Sequence, residues 1–256
     1  MKQSEYSTLA TSRTPALIIY LLDMSDSMHK KMGNKRRIDV VMDSLSAVVK
    51  QMVFRATKGR KISPRYRIAI YAYNNKVYDV LGGVKSIDVV AQKGLPTLTP
   101  SRTTETAKAF QKAMDLLKRE ILLMDKCPAP LICHMTDGEY TGADPSPIVS
   151  DIMRMKVPDG NVLVENIFIS DKVLPTPIED IHKWTGIDAN TPLGSSYAKK
   201  LREISSAIPY TYSQIMREWG YNLAPNAKML FPGTRSEMVA LGFQMSAATG
   251  TGPVKK

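Results

Sequence analysis

The stretch ALIIYLLDMSDSM, residues 16–28, decides the reading of this chain. Seven apolar residues, Ala16 to Leu22, run unbroken into Asp23, and Ser25 and Ser27 follow at alternate positions. An apolar run of that length suits a central parallel strand covered on both faces. It is far shorter than the roughly 20 residues a membrane-spanning helix needs. It also lacks the charged flank and cleavage pattern of a signal peptide, so the chain is expected in the cytoplasm. Such a strand is a rigid post. In a tight loop behind it, side chains two apart point to one side, which turns Asp23, Ser25 and Ser27 into a set of oxygen donors at a strand end.

Outward from this strand the pattern alternates. Ile38, Val41, Met42, Leu45, Val48, Val49 and Met52 recur at helical spacing, predicting an amphipathic helix over 37–56. YRIAIYAY (66–73) is a second strand, and 76–81 its short antiparallel partner, ended by Gly82–Gly83. A helix is expected over 104–121, a third continuous strand at PLICHM (130–135), a helix over 147–155 and a strand over 162–170. Beyond Asp171 the text is less regular, with helices expected at 197–207 and 212–219, a short strand at 228–231 and a closing helix over 236–248. This order predicts an α/β fold: a Rossmann-like, doubly wound, mostly parallel six-stranded sheet with one short antiparallel edge strand and helices on both faces. The expected layout is one domain over 15–248 with an enlarged insert at about 171–226, between flexible tails at 1–14 and 249–256.

In such sheets ligands bind beyond the carboxyl ends of the strands. Asp23 and Asp137 both stand at that end, and Thr104 sits where a helix should start on the same side. The five side chains Asp23, Ser25, Ser27, Thr104 and Asp137 offer only oxygen, the donor that hard divalent cations take. Two carboxylates roughly neutralise such an ion, but where they act partly through waters the metal keeps much of its electrophilicity and has reason to recruit a further anionic oxygen from outside. No poised base or nucleophile accompanies them.

Three motifs resemble the metal-ion-dependent adhesion site (MIDAS) of the von Willebrand factor A (VWA) family. Its D-x-S-x-S is similar to Asp23–Met24–Ser25–Asp26–Ser27. Its threonine before a helix resembles Thr104 in Thr104–Glu105–Thr106–Ala107, and its strand-ending aspartate resembles Asp137 in Thr136–Asp137–Gly138. The glycines that usually precede the threonine are here Ser101–Arg102–Thr103. That departure leaves Thr103 as a rival ligand and sets Arg102 near the site. The resemblance covers residues 14 to about 170 well and the remainder weakly. It implies a VWA fold and a non-catalytic protein–protein interaction module that holds Mg2+, with Mn2+ or Ca2+ as substitutes. A partner's Asp or Glu would complete the metal shell. Among bacterial members the layout is similar to the VWA proteins of tellurium-resistance and related stress or defence gene sets. Partners of that kind would be an AAA+ ATPase, a kinase–phosphatase pair or tellurium-resistance proteins.

The net charge of +11 bears on a second reading, nucleic-acid binding. The basic residues gather at 29–37 and at 55–67, which this fold puts at opposite ends of the sheet, and aromatics for base stacking are not interleaved with either group. Lys30, Lys31 and Arg36, with Arg102, are instead expected to steer an acidic partner toward the metal face. A third reading, a metal-dependent phosphotransferase or hydrolase, lacks its parts. Ser25 stands where a dehalogenase-type phosphotransferase needs a second carboxylate, no P-loop is present, and His29, His134 and His182 are not placed to activate a serine. The two cysteines, Cys127 and Cys133, read as buried structural residues.

Overall fold

In the computed structural model, which describes residues 5–251, a mostly parallel sheet forms the centre of the chain and helices cover both of its faces. Its strands are β1 (Ala16–Asp23), β2 (Tyr66–Tyr73), β3 (Val77–Asp79), β4 (Lys85–Ser86), β5 (Leu131–Thr136), β6 (Leu163–Phe168) and β7 (Leu230–Pro232). The helices are α1 (Arg37–Ala56), α2 (Ile87–Lys93), α3 (Thr106–Glu120), α4 (Ser146–Arg154), α5 (Ser196–Glu203), α6 (Tyr210–Glu218) and α7 (Ser236–Ser246). Across the sheet the order is β7, β6, β5, β1, β2, β3, and β4 also pairs with β2. Only β3 and β4 run antiparallel.

The edge differs from the expected single antiparallel strand, and the sheet has seven strands where six were expected. After β3 the chain turns through Gly82 and Gly83, both at positive φ (+66° and +93°), a region glycine enters without steric cost. That turn brings Lys85 and Ser86 back onto the start of β2 as a further short strand. The following helix, α2, was not anticipated from the sequence: it has two turns, too few for a clear period.

Alternation along β1 feeds two cores. Ile18, Tyr20 and Leu22 join the core beneath α1, α6 and α7, whereas Leu17, Ile19 and Leu21 join the one beneath α3, α4 and α5. All eight residues of β1 are buried, as a strand covered on both faces must be. The same alternation sends Cys133 to one core and His134 to the other face, against Phe110 and Tyr73. Both cysteines are buried and free.

The N-terminal segment, expected to be loose up to residue 14, is docked from Tyr6 onward. Its anchor is Asp159, whose backbone oxygen accepts from Tyr6 N (2.7 Å) and whose Oδ1 accepts from Ser7 N (3.0 Å) and Thr8 N (2.8 Å). Asp159 Oδ2 accepts from Ala129 N at 2.9 Å, and Ala10 N donates to Gly250 O at 2.8 Å. The outer parts of the two expected tails, residues 1–4 and 252–256, lie outside the described residues.

The strand order sets the place of any ligand site. From β1 the chain moves outward through β2 and β3, then returns to β5 on the other side of β1. The order thus reverses between β1 and β5, and in sheets of this kind the carboxyl ends at such a switch are where ligands bind. Asp23 closes β1 and Asp137 directly follows β5.

Candidate functional site

Register brings the two aspartates together. Leu22 pairs with Met135, so the next step sets Asp23 beside Thr136. The Thr136 hydroxyl donates to Asp23 Oδ2 at 2.6 Å, and Ser25 N–H donates to Asp23 Oδ1 at 2.8 Å. Ser25 Oγ lies 3.1 Å from Ser27 Oγ, and the Ser27 hydroxyl donates to Asp137 Oδ1 at 2.5 Å. Asp23, Ser25, Ser27 and Asp137 therefore form one continuous chain of contacts between the ends of β1 and β5. Asp23 and Ser25 are almost fully buried, and the Asp137 side chain has no exposed surface.

Thr104 belongs to the third loop, which is laced to the other two. Ser101 N donates to Met24 O (2.8 Å), Asp26 N donates to Arg102 O (3.0 Å), and His29 Nε2 stands 3.1 Å from Pro100 O. On its other side, Thr141 donates to Thr104 O from both its backbone N (2.9 Å) and its hydroxyl (3.1 Å). Thr104 is buried, its rival Thr103 is exposed, and both precede α3, which begins at Thr106.

Burial pushes the Asp23 carboxyl up to about 6, and the charge of Asp137 adds to the rise; Thr136 and Ser25, by hydrogen bonding to the charged form, hold it down. The side chains joined in this chain of contacts are two carboxylates and the two serine hydroxyls, all hard oxygen, whereas Thr104 is tied to its neighbours through its backbone. Among the described residues no three His, Cys, Asp or Glu side chains converge to hold a metal ion.

The basic residues expected to steer a partner fall into two groups. Arg36 is turned back onto the first turn of α1, where its Nε and Nη2 donate to Asp39 at 2.8 and 2.7 Å, so its charge is matched locally. Lys30, Lys31 and Arg102 are exposed. Arg102 has φ +68°, and its carbonyl rather than its guanidinium makes the contact to the Asp26 loop.

Two residues of the site were missed in the sequence. Thr136 fastens Asp23, a role that only the β1–β5 register reveals. Arg37 opens α1 and reaches Asp137, with Nη1 donating to Oδ2 at 2.6 Å. A signal for Arg37 did exist: the N-terminus of a helix carries the positive end of its dipole, so an arginine there calls for a nearby anion.

The sequence profile of the von Willebrand factor type A domain matches residues 18–139, a span that begins in β1 and ends just past Asp137. The fold is VWA-like. The PilB minor pilin from Streptococcus sanguinis superposes with a TM-score of 0.53 at 11% identity, over 90% of this chain and 60% of that one. Proximal thread matrix protein 1 from the mussel byssus gives 0.50 at 11% identity, over 94% of this chain and 47% of that one. The vWF domain of the type V pili tip protein Mfa5 from Porphyromonas gingivalis is 22% identical over 50% of this chain and 39% of that one, with a TM-score of 0.39. The chain thus spans less than two-thirds of each of these proteins, and at such identities the likeness concerns the fold alone. No curated protein sequence matches it. No helix among the described residues of this VWA-like domain is long and apolar enough to cross a membrane.

Proposed function

We propose that the chain is a single VWA domain over 15–248, with 171–226 as its insert, and that it acts as a non-catalytic, divalent-metal-dependent protein-interaction module. In this reading Asp23, Ser25, Ser27, Thr104 and Asp137 hold Mg2+ at the switch between β1 and β5. An Asp or Glu of a partner protein supplies the remaining ligand. A cytoplasmic stress or defence assembly is the setting we favour for that partner.

The observation that carries the reading is the chain of contacts from Asp23 through Ser25 and Ser27 to Asp137, drawn from two distant strand ends with both carboxylates buried. Burial of two carboxylates side by side costs free energy unless a cation or donors offset it. The exposure of Thr103 favours Thr104 as the third-loop ligand. A metal there supplies an electrophilic point for a partner's carboxylate; the protein's own residues orient the loops and exclude water from the strand ends.

The test is titration calorimetry with Mg2+ and Mn2+, paired with thermal unfolding in chelator and in metal. Wild type should bind one ion and gain thermal stability from it. Asp23→Ala and Thr104→Val should lose that gain, while Thr103→Val should keep it. A wild-type protein indifferent to both metals sinks the proposal.

A further inference from the structure

Arg37 raises a question that the metal reading does not answer: a cation is already built into the cluster. Its Nη1 stands 2.6 Å from Asp137 Oδ2, the Asp137 side chain is wholly buried, and the Arg37 side chain is only 21% exposed. Its Nε–H is buried with no partner among the described residues. The position is an unusual one for a positive charge, since Arg37 is the first residue of α1 and the helix dipole disfavours a cation there. The contact with Asp137 offsets that cost. The other basic residues of the hairpin do not share the role: Arg36 is paired with Asp39, Lys35 with Asp43, and Lys30 and Lys31 point their charge to solvent.

We infer that Arg37 is an internal competitor for the cation, so that metal binding at Asp137 exchanges against the Arg37–Asp137 ion pair. The inference rests on the metal-dependent reading above and adds a residue to it. Both oxygens of Asp137 already have donors, the Ser27 hydroxyl on Oδ1 and Arg37 on Oδ2. An arriving ion, or a water bound to it, meets the guanidinium at the second oxygen. Two positive charges cannot share one buried carboxylate without strong repulsion.

The consequence reaches the partner as well. Two carboxylates and one guanidinium leave the cluster with one negative charge, which repels an acidic side chain. A divalent ion reverses the sign, and the displaced guanidinium remains beside it on α1. Arg37 thereby weakens metal binding and sharpens the contrast between the empty and loaded surfaces.

Mn2+ affinity, read by calorimetry and by the electron paramagnetic resonance signal of the free ion, tests this in the full chain. Arg37→Met should bind Mn2+ at least about tenfold more tightly than wild type, with Arg36→Met within about twofold of it. In chelator Arg37→Met should unfold at a lower temperature, because Asp137 is left buried without its counter-charge, and Mn2+ should raise that temperature more than it does in wild type. Should Arg37→Met fail to fold, Arg37→Lys serves: its shorter, single-point ammonium competes less well and should give an intermediate gain. Equal or weaker Mn2+ binding by these variants, with wild type still binding, overturns the inference and leaves the metal reading standing. Absence of Mn2+ binding in wild type and variants alike overturns both.

Discussion

His134 is a titrating residue whose environment is fully defined. It is completely buried, its Nδ1 is 2.7 Å from Asn166 Oδ1, and its Nε2 is 2.6 Å from the Tyr73 hydroxyl. Asn166 Nδ2 donates to Ser205 Oγ, so Asn166 Oδ1 must accept; Nδ1 therefore carries the proton and Nε2 accepts from Tyr73. Burial lowers the imidazole value to about 4. A base whose folded value lies below its unfolded value near 6.5 favours the fold fully above about pH 6.5 and loses that contribution as pH falls toward 4. Between pH 7 and pH 5 the loss should be about 2 kcal/mol, and His134→Gln should remove most of it. Urea unfolding of both proteins at the two values checks this. Asp23 works in the opposite sense, since its raised value makes the protonated form the better folded one, so only the difference between His134→Gln and wild type isolates the histidine. The sequence placed His134 inside a strand and away from catalysis; its two partners, 61 and 32 residues distant, were invisible there.

At the level of elements, periodicity carried most of the reading. Helix α1 spans the residues its apolar spacing predicts, and β1, β2, β5 and β6 fall within about two residues of their apolar runs. The weak points were the short elements: α2, the second edge strand β4 and the two-residue hairpins at 31–36, 57–62 and 156–161. Each is shorter than the window in which a period can be counted. The docked N-terminal segment failed for a different reason. Its polar composition reads as loose chain, yet Asp159 captures three backbone N–H groups with its carboxylate and a fourth with its carbonyl. Asp159→Ala should cost about 2–4 kcal/mol, since the lost acceptor leaves buried donors unpaired. It should also make residues 5–10 the first target in limited proteolysis followed by mass spectrometry. Cleavage no faster than in wild type would mean that the segment is held by other contacts.

For the whole molecule, the distribution of its positive charge bears on what it meets. The hairpin at 31–36 leads into α1 beside the site, and the hairpin at 57–62 precedes β2, at the other end of the parallel sheet. Part of that charge is matched internally, by Asp39, Asp43, Asp137 and Glu120. Two separated patches, each partly neutralised, do not make the continuous track that a nucleic-acid backbone follows. Binding to random single-stranded DNA should therefore be weak near physiological salt, and a salt series should give a shallow slope, on the order of two to three released counterions. A slope much steeper than that, unchanged by chelator, would restore nucleic acid as the main ligand.

Composition and spacing were enough to set the alternation of strands and helices, the parallel sheet and the oxygen donors waiting at the end of β1, because each of these is written in residues close together along the chain. Folding alone decided which distant groups meet those donors. The Arg37–Asp137 pair joins residues 100 positions apart, and the Thr136–Asp23 bond joins residues 113 apart. Both depend on how β1 and β5 lie in register and on where α1 begins in space. No local period encodes a contact of that kind, so the charge that completes the site became visible only when the strands were side by side.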